Sequence, residues 1–262
     1  ILKSLVAIGI FSEHDYDDFM LSVKTVSRQL AEEKSALKRD EFVAKYGHLR
    51  PGTYEITSLR YDEDPDIYFD WNNRHKSLSQ TSCFQLSTEQ KHSINRLLKE
   101  DEFDLDSEML LTFLRDAVER REWAKFHFTH NLSDAISIIK TYGESMGFST
   151  EDLSYCDYKI IKGIYTSPTD HKETFHNTII QGKQKYASAL KTSLPPLIKV
   201  PEDIWAFHLP LETPNFITQK IVIAPIATID SGDKFNGKII CIPNGDPGFD
   251  WLFSIPIAGL IT

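Results

Sequence analysis

The chain has 262 residues, 41% of them apolar and 26% charged, the make-up of a globular protein large enough for one or two buried cores. Its formal net charge of −9 is the wrong sign for general binding to nucleic acid or to an anionic membrane surface. No apolar run approaches the roughly 20 residues that cross a bilayer, and Cys83, Cys156 and Cys241 are odd in number, far apart and without C-x-x-C spacing, which predicts a reducing, cytoplasmic setting and neither a disulfide framework nor a zinc site.

In chain order, ILKSLVAIGI opens as if inside an element, and PIAGLIT closes on a strand-like run, so the chain is expected to be an internal fragment. Over 13–38, Phe19, Val23, Val26, Leu30 and Leu37 recur at three-, four- and seven-residue steps and predict one amphipathic helix. A short helix over Asp40 to Lys45 leads into Tyr46–Asp62, YGHLRPGTYEITSLRYD. Pro51-Gly52 marks a tight turn there, because proline presets one central dihedral and glycine accepts a positive φ at the next. His48, Arg50, Glu55 and Arg60 around that turn are the candidate binding residues, since cations and a histidine on a fixed backbone suit an anion or a proton. A helix–loop junction whose Arg and Glu pair with each other, and whose His serves as a cap, accounts for the same residues.

From Tyr61 to Gln85 the sequence is polar and aperiodic and predicts an irregular segment, tied down by Tyr68, Phe69 and Trp71. Ser87-Thr88-Glu89-Gln90 has the form of a capping box, placing a helix over Thr88 to Glu100. Asp106 should cap a much longer helix, with a stripe of Leu110, Leu114, Ala117, Arg121, Ala124 and Phe128 continuing to Ile139, and an end at Tyr142-Gly143. Arg121 puts a charge into this stripe, and Glu122 and Lys125 are spaced to pair. Arg121 is therefore either a bundle-edge ion-pair residue or part of a cationic wall beside His48 and Arg50. A short helical element to Ile164 and a charged helix over 170–191 follow, with His171 and His176 read as surface residues.

Prolines at 195, 196, 201, 210 and 214 then punctuate a linker. Beyond it come β-like runs at Lys220–Ile229, Gly237–Ile242 and Ile257–Ile261. Between the last two, Asp246 as cap and Pro247 at the first helical position predict a helix over Pro247 to Ser254. The expected fold is mainly α, a helical bundle with one very long helix followed by a partial β/α unit. Its domains are 1–194 helical, 195–214 linker and 215–262 the truncated β/α unit.

Two segments carry a family resemblance. Tyr46-Gly47-His48-Leu49-Arg50 with Glu55-Ile56 and Arg60-Tyr61 resembles the YGHR-x-x-x-E-x-D-I stretch of the middle domain of phosphoenolpyruvate-utilising phosphotransferases, with Thr57 replacing an acidic residue. Gly237-Lys238-Ile239, Asp246-Pro247-Gly248, Trp251-Leu252-Phe253 and Gly259-Leu260-Ile261-Thr262 are similar to the opening of that family's swivelling phosphohistidine domain. The resemblance implies a multidomain enzyme in which ATP, with magnesium, phosphorylates a histidine on a mobile domain that then delivers the phosphoryl group to a small-molecule acceptor. It also implies that this chain lacks that histidine and the nucleotide-binding domain, so no catalytic residue and no bound cofactor or metal is expected within it. His48, Arg50, Glu55, Arg60 and Arg121 would then contact the acceptor or stabilise charge. The rival reading is a non-catalytic helical binding or interaction module. A metal hydrolase is poorly supported, because no H-x-x-x-H or H-x-H pair lies beside a carboxylate on an expected helix.

Overall fold

A computed structural model of the chain describes residues 1–71, 84–164, 170–195, 197–205, 207, 221–229 and 235–262. Cys83, the 72–83 part of the expected irregular segment, and Pro196, Pro210 and Pro214 of the expected linker lie outside these residues. The structure is mostly helical, with a small parallel sheet and one long helix over 107–145. It divides into two compact units: Ile1–Tyr54, Ser58–Asp134 and Pro225–Thr262 form the first, Glu55–Thr57 and Ala135–Ala224 the second.

The first unit begins with α1 (Leu2–Ala7), α2 (Glu13–Ser22), α3 (Val26–Ala36) and α4 (Arg39–Tyr46). The single helix expected over 13–38 is two helices. Val23 is extended, and Thr25 starts a new helix by accepting a hydrogen bond from the Arg28 amide. The apolar period runs through the break because its two halves enter different cores. Phe19 and Val23 pack with Phe84, Leu86, Ile94 and Leu111. Leu30, with Val26 and Leu37 against it, joins Phe42, Tyr46, Leu49, Tyr61, Tyr68 and Phe69.

Tyr68 and Phe69 are buried, as expected for anchors of the irregular segment, and a short helix α5 (Pro65–Tyr68) runs up to them. The helix α6 (Thr88–Glu100) has the expected bounds, with the Ser87–Gln90 capping box formed in both directions. Asp106 accepts from the Met109 amide at 2.8 Å at the head of α7 (Ser107–Ser145). The buried stripe of α7 differs from the expected one. Ser107, Leu111, Thr129 and Ser133 are buried, whereas Ala117, Arg121, Ala124 and Phe128 are exposed. Large apolar side chains occur all round this helix, so periodicity alone admits several stripes, and the packing partners select a more polar one.

The C-terminal part of the first unit is a three-stranded parallel sheet in the order β1 (Ile226–Thr228), β2 (Ile239–Cys241), β3 (Gly259–Ile261). Its register pairs Ala227 with Ile240 and Ile240 with Leu260. Parallel neighbours need a crossover; between β2 and β3 it contains Pro247–Ser254, in place of an α-helix a 3₁₀ helix with the expected bounds and the Asp246 cap. Gly248, Phe249, Asp250, Trp251 and Leu252 of this turn are all buried. Phe249, Trp251 and Leu252 complete the core around Leu30, Phe42 and Tyr61.

The second unit contains the end of α7, α8 (Thr150–Leu153), α9 (Lys159–Ile164) and α10 (His171–Ala189) around Ile56, Leu153 and Phe175. The long helix runs past the expected stop to Ser145, and Gly147, at φ +91°, takes the left-handed position. Gly143 serves the packing instead. A Cβ there would overlap the Leu153 side chain, so this glycine admits α8 against α7. His176 is exposed, whereas His171 is half-buried and its Nδ1 lies 2.6 Å from the Tyr142 hydroxyl. Among the described residues no helix is long and apolar enough to cross a membrane.

Candidate functional site

The Tyr46–Asp62 segment leaves α4 and folds back on itself. Leu49 accepts through its carbonyl from the Tyr61 amide, and Gly47 in the same way from Asp62, while Gly52 takes φ +66° in the intervening turn. This fold brings His48, Arg50 and Arg60 together against the middle of α7. Arg50 is buried and spends its guanidinium on the protein: Nε donates to Ser133 Oγ at 3.2 Å and Nη2 to the Ser133 carbonyl at 3.3 Å. Arg60 is clamped by Asp62 at 2.9 and 2.7 Å and by Asp134 at 2.6 Å. Burial opposes the Arg60 charge, but these carboxylates more than offset it and hold the guanidinium above its ordinary range. The same Arg60 contact holds Asp134 below the usual carboxylate range.

His48 is the exception among these three. It is 3% exposed, and among the described residues neither ring nitrogen has a hydrogen-bond partner in good geometry. Its ring stands edge-on to Phe126 at 4.7 Å and tilted against His130 at 4.6 Å. Burial, followed by the neighbouring His130, pushes it down to about 4, although the Phe126 carbonyl and Asp134 favour its charged form. At neutral pH His48 is therefore an uncharged imidazole. His130 is half-exposed and places Nδ1 3.3 Å from Asp134. Arg60, Asp134, His130 and His48 thus form a chain of polar groups leading from the surface to a buried ring.

The turn meets the C-terminal crossover. Thr53 donates through its amide and its hydroxyl to Asp246, at 3.1 and 2.8 Å. Asp246 also accepts from the Gly248 amide, and the buried Tyr61 hydroxyl donates to the Gly248 carbonyl at 2.7 Å. A Cβ on Gly248 would overlap the Arg50 carbonyl, so glycine is required for the two backbones to approach this closely. Close by, Asp250 is buried and accepts from Ser27 Oγ at 2.8 Å. Burial raises its carboxyl to about 7, and Glu122 adds to the effect. A hollow of about 10 Å³, room for about one water, is lined by Val26, Leu49, Glu122, Lys125, Thr129 and Asp250, among others.

The other two candidates stand apart. Glu55 falls in the second unit, where it is exposed and accepts from the Thr57 amide and hydroxyl. Arg121 is an exposed side chain paired with Glu122 at 2.7 Å, nine residues, or about 14 Å of helix, from His130. Ser133, Asp134 and His130 are not marked out by the sequence reading, although the His130-x-x-x-Asp134 spacing puts both side chains on one helix face. Among the described residues no group of three or more His, Cys, Asp or Glu is arranged to hold a metal ion. No protein-family model matches the chain, and neither a curated protein nor a solved structure matches it.

Proposed function

We propose that these residues are part of a multidomain, ATP-dependent phosphotransferase resembling the phosphoenolpyruvate-utilising enzymes, which relays a phosphoryl group through a histidine on a mobile domain to a small-molecule acceptor. One observation supports this reading above others. The two segments that carry the resemblance are nearly 200 residues apart in sequence, yet Thr53 bonds Asp246 and Tyr61 bonds Gly248. Two unrelated surface loops have no need of a buried tyrosine bond and a glycine-only backbone contact. The helical part then anchors the opening of the β/α part, whose Phe249, Trp251 and Leu252 lie in a shared core, and transfer in two steps at separate sites is covalent catalysis.

In this reading His48 receives a proton from an acceptor hydroxyl, since it is uncharged at neutral pH, although burial has weakened it as a base. Arg50 and Arg60 hold the turn and set the local field. Their donors are taken up by Ser133, Asp62 and Asp134, so these residues do not fit a nucleotide triphosphate or its magnesium ion. The same engagement favours the second reading, a binding module without chemistry, in which the polar chain is purely structural.

The two readings separate on the full-length gene product that contains these residues, incubated with ATP labelled in its β and γ phosphates. An acid-labile, base-stable phosphoprotein is the expected result. His48→Ala should leave that labelling intact and slow delivery to an acceptor by about 10²–10⁴-fold. Folded protein that takes up no label would favour the binding module, and unimpaired delivery by the variant would remove His48 from the mechanism.

A further inference from the structure

Two exposed faces of opposite chemistry, one in each unit, take no part in the proposed transfer. The first lies at the start of α7. Between Glu100 and Met109 the sequence holds six carboxylates and no lysine or arginine. Phe103, Leu105, Met109 and Phe113 are exposed among them. Leu105, Met109 and Phe113, with Ala117, line an open hollow of about 610 Å³ whose rim includes Asp106, Glu108 and Asp116. Phe103 is 59% exposed just past Glu102, which at φ +59° is the left-handed cap that ends α6, with the Glu102 amide donating to the Lys99 carbonyl and the Phe103 amide to the Leu98 carbonyl. Exposed aromatics in an acidic setting are unusual for a surface that faces only water.

The second face runs along the end of α10 and beyond. From Thr174 to Pro201 there are four lysines, Lys183, Lys185, Lys191 and Lys199, and no aspartate or glutamate. Tyr186, Leu190, Leu194 and Leu197 are exposed over the same stretch. Glu108, Asp116 and Lys183 already pair with Lys91, Arg120 and Asp152, whereas Asp101, Glu102 and Asp104 on the first face and Lys185, Lys191 and Lys199 on the second are exposed charges of opposite sign. Complementary charge around apolar anchors is the arrangement that specifies a partner and speeds encounter.

We propose that the acidic–aromatic face of one copy of this chain takes up the basic 183–199 segment of a second copy. The apolar side chains supply the buried area, and the carboxylates and lysines set the orientation. The association is therefore sensitive to salt, because its charged rim is solvent-exposed and screened within about 10 Å at 0.1 M salt.

The test is sedimentation velocity of the intact chain and of two charge-reversed variants chosen at exposed positions. One variant carries Lys185→Glu and Lys191→Glu, the other Glu102→Lys and Asp104→Lys. The wild type should self-associate at low salt and weaken by about tenfold or more on moving from about 0.05 M to about 0.5 M salt. Each variant alone should associate less than the wild type, since the double reversal takes the four-lysine segment from +4 to 0, or the six-carboxylate stretch from −6 to −2. An equimolar mixture of the two should associate again, because the unaltered acidic face of the first variant meets the unaltered basic segment of the second. A wild type that stays monomeric at low salt, or variants that associate as the wild type does, would overturn the proposal.

Discussion

At the residue scale, the two perturbed groups flanking the turn work in opposite directions. Asp250 has a folded-state value of about 7, above its ordinary 3.8. Its protonated form is the one the fold accepts, so the stability it contributes is fully present below about pH 4 and is lost as pH rises towards 7. His48 is lowered from 6.5 to about 4, so its contribution is present above pH 6.5 and is lost as pH falls through that range to 4. The two trends partly cancel in the wild type, and a single substitution exposes one of them. Asp250→Asn keeps an acceptor for Ser27 while removing the charge. It should stabilise the protein at pH 8 by up to about 4 kcal/mol relative to wild type, and by little at pH 4, in urea melts at the two pH values. A gain equal at both would show that Asp250 is ionised throughout. Glu122 and Lys125 of α7 and Asp246 of its own segment are the charged groups that face it.

At the scale of elements, the decisive contact is the Pro51-Gly52-Thr53 turn on the 3₁₀ helix. It rests on three specific things: the Asp246 carboxylate, the Tyr61 hydroxyl and the absence of a side chain at Gly248. Gly248→Ala forces a methyl group into the Arg50 carbonyl, and backbone cannot yield as a flexible side chain does. The expected cost is about 3 kcal/mol or more. Tyr61→Phe leaves packing intact and orphans one buried carbonyl, for about 1–3 kcal/mol. Chemical denaturation of both variants should therefore rank Gly248→Ala as the more damaging. The reverse order would mean that the two segments can separate without unfolding.

These elements also differ in how far they could be read beforehand. The Ser87 box, the Asp106 cap and the Asp246-Pro247 start are local hydrogen-bonding devices, closed within three residues, and they appear where the sequence places them. The break at Val23 and the polar stripe of α7 were not legible. Phe19 and Leu30 obey one helical period, but separate cores claim them. On α7, Ser133 is buried because Arg50 needs its oxygens, and only the arrival of Arg50 makes a serine a better core-facing residue than Phe128.

For the whole molecule, the first unit is assembled from distant parts of the chain, with 225–262 entering beside the opening helices. Phe249, Trp251 and Leu252 cover Leu30, Phe42 and Tyr61. Removing 225–262 should therefore uncover this core, giving strong binding of a hydrophobic dye, retained helical far-ultraviolet dichroism and a non-cooperative melt. A cooperative melt without dye binding would show that the opening helices close a core on their own.

What the sequence determined by itself was the class of the fold, its local signals and the places where chemistry-bearing residues crowd. Periodicity, caps and turn residues act over a few positions and need no partner. Only the tertiary structure decided what those residues do to each other. It spent Arg50 and Arg60 on Ser133, Asp62 and Asp134, left the His48 nitrogens without a partner in good geometry among the described residues, and seated the Pro51-Gly52 turn on Gly248. The physical reason is range: a hydrogen bond or a buried charge depends on which atoms lie within a few ångströms, and apart from Asp62, two residues from Arg60, the decisive neighbours here are from about 70 to nearly 200 residues away in the chain.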